Sequence, residues 1–223
     1  MSMWRETIFD DRQHAGRALA ERLAHLQGQE DLLVLALPRG GVAVAFEVAR
    51  ALHAELDVFI VRKLGYPGHE EYAMGAIASG GVRVMNIDPG MSVSEREIES
   101  VVRQEQAELV RRERLYRGTR PPVEVAGRTV IVVDDGLATG ATMRAAVAAI
   151  RKQGPQRLIV AVPVGAQETC AVLEDEADEV VCAETPSPFR AVGLWYGDFP
   201  QSTDDEVRRL LEEARRKHEH AAH

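Results

Sequence analysis

Apolar residues fall into short blocks that alternate with helical repeats. Ala15, Leu19, Leu23 and Leu26 recur at helical spacing, with Asp10 or Asp11 as the candidate cap and Gly28 as the stop. Leu32–Leu37 is an unbroken apolar run of strand length. Pro38-Arg39-Gly40-Gly41 ends it, and Val42–Leu52 predicts a helix. Leu56–Val61 predicts a second strand, and Arg62–Met74, rich in Gly, Pro and His, a loop. Gly75–Ala78 and Val82–Asn86 predict a hairpin across Ser79-Gly80-Gly81. Ser94 and Glu97 have capping-box spacing and open a long charged helix that ends near Gly118. Beyond Thr119–Pro122, strands are predicted at Thr129–Val133, Leu158–Val162 and Glu179–Ala183. Helices are predicted at Thr142–Lys152, Gln167–Glu174 and near Asp204–Arg216, with an aromatic loop at Phe189–Phe199. Strands alternating with helices predict an α/β fold: a mostly parallel sheet flanked by helices, with ligands beyond the carboxyl ends of its strands.

Composition narrows the function classes. Of 223 residues 45% are apolar, enough for one sizeable core. Lys and Arg number 27 against 35 Asp and Glu, a net charge of −8 that lacks the footprint of a nucleic-acid binder. No apolar run approaches the roughly 18 residues of a membrane span. Residues 1–6 carry charge where a signal peptide needs an apolar core. Cys170 and Cys182 form no disulfide framework by count and are expected as two buried, reduced thiols of a cytoplasmic protein.

The most informative stretch is Val130–Thr142. An apolar strand delivers Asp134 and Asp135 to its carboxyl end. The turn Gly136-Leu137-Ala138-Thr139-Gly140-Ala141-Thr142 then opens a helix. Its amides, hydroxyls and helix N-terminus make a phosphate cradle. The two carboxylates suit sugar hydroxyls, met directly or through a metal. Together these features fit a ribose 5-phosphate. Neither the Gly-Lys-Ser/Thr of a Walker loop nor a Gly-x-Gly-x-x-Gly fingerprint occurs at this turn.

This segment resembles the phosphoribosyl pyrophosphate (PRPP) signature of type I phosphoribosyltransferases. The resemblance implies one domain over residues 1–223. Its core would span about 30–185, a small hood about 1–28 and 186–203, and a C-terminal helix and tail 204–223. It implies Asp134 and Asp135 on the ribose and on Mg²⁺, directly or through water, and the turn 136–142 on the 5-phosphate. Pro38, Arg39, Gly40 and Gly41 match the pyrophosphate loop, where the family often has a cis non-proline peptide, here near Pro38-Arg39. Arg62 or Lys63 matches a basic position facing the pyrophosphate. Leu64–Met74 matches the family's mobile catalytic loop, with Glu70 or Glu71 as an acid–base or lid residue. Catalysis is expected from Asp134, Asp135, Arg39 and Lys63, which stabilise charge rather than supply a covalent nucleophile.

The acceptor stays open. Ala138 and the Arg62-Lys63 pair are similar to adenine phosphoribosyltransferases. The Pro188–Phe199 segment looks like the base-binding hood of 6-oxopurine enzymes, with Phe189, Trp195 and Asp198 as the base-contacting candidates. The resemblance implies transfer of a 5-phosphoribosyl group from PRPP to a nucleobase or similar nitrogen nucleophile, in nucleotide metabolism of the purine-salvage kind. The alternative is a non-catalytic PRPP or nucleotide sensor. The helix from Glu95 exceeds the minimal family core, and its charged face is a candidate homodimer contact.

Overall fold

The structure, a computed structural model, describes residues 7–221. Helix α1 (Arg12–Arg22) starts at Asp11, whose side chain accepts the His14 amide at 2.7 Å. Then come β1 (Leu32–Ala36), α2 (Gly41–Leu52) and β2 (Glu55–Val58). A second group is β3 (Val61–Tyr66), β4 (His69–Ala78), β5 (Val82–Met85) and α3 (Glu95–Arg117). The chain finishes with β6 (Thr129–Val133), α4 (Ala141–Arg151), β7 (Arg157–Val164), α5 (Gln167–Glu174), β8 (Glu179–Glu184) and α6 (Asp204–Ala221).

Five strands form a wholly parallel sheet in the order β2-β1-β6-β7-β8. Its central strands are buried on both faces, which is why they read as unbroken apolar runs. Val34, Ile131 and Ile159 face one core cluster, which α1, α2 and α6 cover. Leu35, Val132 and Val160 face the other, beneath α4 and α5. After β1 the chain returns on one side, to β2; after β6 it returns on the other, to β7. The β1–β6 pair is therefore the switch point of the sheet, and a crevice opens beyond its carboxyl ends.

Strands β3, β4 and β5 form a separate antiparallel sheet. The β4–β5 hairpin across Ser79–Gly81 matches expectation. Two expectations nearby need correction. The predicted strand Leu56–Val61 is two strands, because the chain leaves the parallel sheet at Phe59-Ile60. There the Phe59 amide bonds Ala36 O and the Ile60 amide bonds the Ser79 hydroxyl. The segment expected as a loop, Arg62–Met74, belongs to a β-hairpin turning at Pro67-Gly68. Leu64, Tyr66 and Met74 are buried, so the segment has core anchors on both arms. The Glu71 side chain lies outside the described residues, as do residues 1–6 of the expected hood and the tail at His223.

Helix α3 has the expected capping box: Ser94 Oγ accepts the Glu97 amide, and Glu97 accepts the Ser94 amide at 2.9 Å. Its far end is locked by buried Arg117, which donates to Asp57 at 2.7 Å, to Glu113 at 2.9 Å and to Val58 O at 2.5 Å. The cysteine expectation is also corrected. Cys170 and Cys182 form a disulfide, with α5 laid over β8 and the two Cα atoms 6.7 Å apart. Sequence separation alone does not show that a helix and the following strand face each other.

Candidate active site

Strand β6 ends in the acid pair. Asp134 Oδ1 accepts the Asp135 amide at 2.8 Å. Burial and the neighbouring Asp135 charge push the Asp134 carboxyl well above the usual range. Burial also raises Asp135, opposed by the Arg12 guanidinium. Arg12 Nε donates to Asp135 Oδ2 at 2.8 Å, with side chains 11% and 16% exposed. Arg12 also donates to Pro200 O at 2.7 Å and stacks 3.8 Å from the Phe199 ring centre. One arginine thus ties the acid pair to the segment that precedes α6.

The loop after β1 packs directly on these acids. The Pro38–Arg39 peptide is cis. A Cβ at Gly40 would fall 2.0 Å from Asp135 Oδ2, and one at Gly41 2.8 Å from Val133 O. No side chain fits at either position, so bare backbone reaches the strand end. Arg39 points elsewhere, into a cavity of about 370 Å³ that Pro38 also lines.

The loop after β6 is built differently. Gly140 caps α4 with φ +73°. Ala138, Thr139, Ala141 and Thr142 are exposed around the helix N-terminus, while Leu137 is buried and Gly136 half-buried beneath them. The Leu137 amide bonds Val164 O, and the Thr169 hydroxyl donates to Ala138 O at 2.7 Å. The turn is therefore held from below and open above, the form an anion cradle requires.

Above the crevice the N-terminal segment pairs with the aromatic loop. Phe9 bridges Tyr196 in parallel, and the Ile8 and Phe9 amides both bond Trp195 O at 3.0 Å. Tyr196 donates to Asp135 O at 2.6 Å. The Phe189 and Trp195 rings lie 6.1 Å apart. Trp195 Nε1 is buried without a hydrogen-bond partner among the described residues. The Asp198 side chain is exposed, and its amide bonds Asp10 O. Arg62 and Lys63 lie on β3; Arg62 pairs with Glu105 of α3 at 2.7 Å, and both basic residues line a separate groove with Glu70. The acids, both strand-end loops and the chain-end segment thus converge. Arg62 and Lys63 stand in the β3–α3 groove.

The phosphoribosyl transferase domain family matches residues 6–194. The chain belongs to that family. Two Mycobacterium tuberculosis strains carry a protein named provisionally as a phosphoribosyl transferase, 48% identical over 211 residues. The match covers 94% of this chain and 47% of the relative, so the chain spans about half the length of these curated proteins. A crystal structure of TT1426 from Thermus thermophilus is 46% identical, with a TM-score of 0.81 over 92% of this chain and 98% of that one.

For this phosphoribosyl transferase domain, sequence reasoning missed three residues that hold the site. Arg12, Tyr196 and Thr169 contact the acid pair or the turn through atoms far away along the chain. Arg12 left a trace only as the residue after a helix cap, and Tyr196 only as a member of the aromatic 188–199 segment; neither trace pointed to the acid pair.

Proposed function

We propose that the domain transfers a 5-phosphoribosyl group from PRPP to a nitrogen nucleophile, a nucleobase or a chemically similar ring, and releases pyrophosphate. The observation that carries this reading is the acid pair at the switch point, with a bare-backbone loop on one side and an open phosphate turn on the other. The bond from the anomeric carbon to pyrophosphate oxygen breaks, and its electron pair leaves with pyrophosphate. The acceptor nitrogen supplies the new bond and loses a proton. Positive charge grows on the sugar ring beside Asp134 and Asp135, which stabilise it and accept hydrogen bonds from the ribose hydroxyls. Thr139, Thr142 and the α4 amides hold the 5-phosphate. Arg39 and the 38–41 backbone meet the pyrophosphate. Lys63 on β3 is proposed to meet the same charge.

The acid pair fits Mg²⁺ as a shared site. Two hard carboxylate oxygens stand at the strand end, and a cation would relieve the raised Asp134. No cluster of three or more His, Cys, Asp or Glu capable of holding a metal occurs among the described residues. The ligand's own oxygens would therefore complete the shell. When bound, the ion supplies charge neutralisation for the departing pyrophosphate. Phe189, Trp195 and Asp198 are the groups proposed to meet the acceptor ring.

Pyrophosphate release from PRPP, assayed with a panel of purine, pyrimidine and pyridine acceptors, tests the reading. Release with one acceptor class supports it. PRPP binding without release under any acceptor assigns the domain to sensing instead. No PRPP binding at millimolar concentration removes the assignment.

A further inference from the structure

The cavity that receives Arg39 is walled by the helix that exceeds the minimal family core. Its lining is Pro38, Arg39, Arg111, Arg112, Leu115, Tyr116 and Asp204, around about 370 Å³. Three guanidinium groups face one carboxylate in that lining. Asp204 is shared: Tyr116 donates to it at 2.7 Å, and Arg39 Nη1 stands 3.9 Å away. Glu108, one turn back on α3, holds Arg111 at 2.7 Å and Arg112 at 2.8 Å. Those hydrogen bonds keep Glu108 at about 2, so it stays ionised and pre-orients both arginines. Burial and the Asp204 bond push Tyr116 up to about 12, so it remains a neutral donor. A lining rich in forked N–H donors, with one carboxylate held by the Tyr116 hydroxyl, is chemistry for a polyphosphate oxyanion.

We infer that α3 supplies Arg111 and Arg112 as binding residues for the pyrophosphoryl group, alongside Arg39, so that this helix closes the leaving-group end of the site. The inference rests on the phosphoribosyl transfer proposed above. It accounts for the division of the 38–41 loop, which turns its glycines to the acids and its arginine to α3. Asp204 keeps Arg39 near the cavity before the anion arrives, and the anion replaces that long contact with shorter ones.

Calorimetry on the full chain with inorganic pyrophosphate, PRPP and ribose 5-phosphate tests the inference. Arg112→Ala should weaken pyrophosphate and PRPP binding by about tenfold or more and leave ribose 5-phosphate unchanged. Arg103→Ala, an exposed change of equal charge on the same helix, should leave all three unchanged. Unaltered pyrophosphate affinity in an Arg111→Ala/Arg112→Ala double variant overturns the inference while PRPP binding still stands. Equal weakening of pyrophosphate and ribose 5-phosphate also overturns it, because a structural role would do the same. Pyrophosphate binding that depends on Arg112, in a protein that binds neither PRPP nor ribose 5-phosphate, upholds the anion site and removes the phosphoribosyl reading.

Discussion

The loops that leave β1 and β6 lie side by side yet face the crevice by opposite means. Residues 38–41 do so by omission: Gly40 and Gly41 leave space that any Cβ would fill with Asp135 or with the β6 backbone. Residues 136–142 do so by presentation: small and hydroxyl-bearing residues stand exposed around a helix N-terminus, braced from below by Thr169 and Val164. The first loop has no tolerance for added atoms on the side it turns to the acids, whereas the second is tight only at Gly136 and Gly140, and its exposed residues lose only what is removed. A close-packed contact fails abruptly, whereas a hydrogen-bonded cradle fails in proportion to the bonds lost.

The largest expected effect breaks the first loop. Gly40→Ala should lower turnover about a hundredfold, since a displacement of about an ångström at a reacting group costs that much. The methyl meets a side-chain carboxylate 2.0 Å away rather than backbone, so the melting temperature should change little. Turnover within twofold of wild type would show that the acid pair has room to move.

Next is the brace on the acids. Arg12→Ala removes a charge-assisted bond of about 1.5–3 kcal/mol and should lower kcat/KM roughly tenfold. Arg12→Lys should recover only part of this, because a single ammonium cannot match the Pro200 O bond and the Phe199 stack together. Full recovery by lysine would reduce Arg12 to a point charge.

The second loop gives the sharper contrast. Thr139 is proposed to hold a phosphate whose charge is constant through the reaction, so Thr139→Ala should raise the KM for PRPP roughly tenfold with kcat nearly kept. Asp135→Asn should lower kcat instead, because the charge it answers grows in the transition state. Steady-state kinetics decide the matter, and the reverse pattern would exchange the two roles. The smallest effect is expected beneath the turn. Thr169→Val loses one neutral hydrogen bond of about 1 kcal/mol and should raise KM a few-fold. A change in kcat alone would place Thr169 in the chemistry rather than under the cradle.

Much of this contrast was legible in the chain. The β6 run, the adjacent acids and the Gly/Thr turn stand in sequence order, as do the β1 run and the glycines that end it. The capping box at Ser94 and Glu97 and the β4–β5 hairpin were legible for the same reason. The β3–β4 hairpin was not, because Gly65, Pro67 and Gly68 read as loop residues. In the structure Gly65 is a strand position where the opposite chain approaches so closely that a Cβ would sit 2.7 Å from Glu70 O. The disulfide was misjudged because cysteine count says nothing about which side of β8 lies under α5.

The amino-acid order by itself determined the local frame: apolar runs that bury as strands, caps that start helices, and a turn whose composition suits phosphate. Each of these depends on bonds within a few residues, so neighbours in the chain suffice. Only the tertiary structure decided that β1 and β6 lie adjacent, which puts the two loops on one crevice. It alone decided that Arg12 meets Asp135 across 123 positions, that Phe9 pairs with Tyr196, and that α3 carries Arg111 and Arg112 to Arg39. Those contacts follow from how buried faces pack, and packing joins side chains by shape and charge regardless of their distance along the chain.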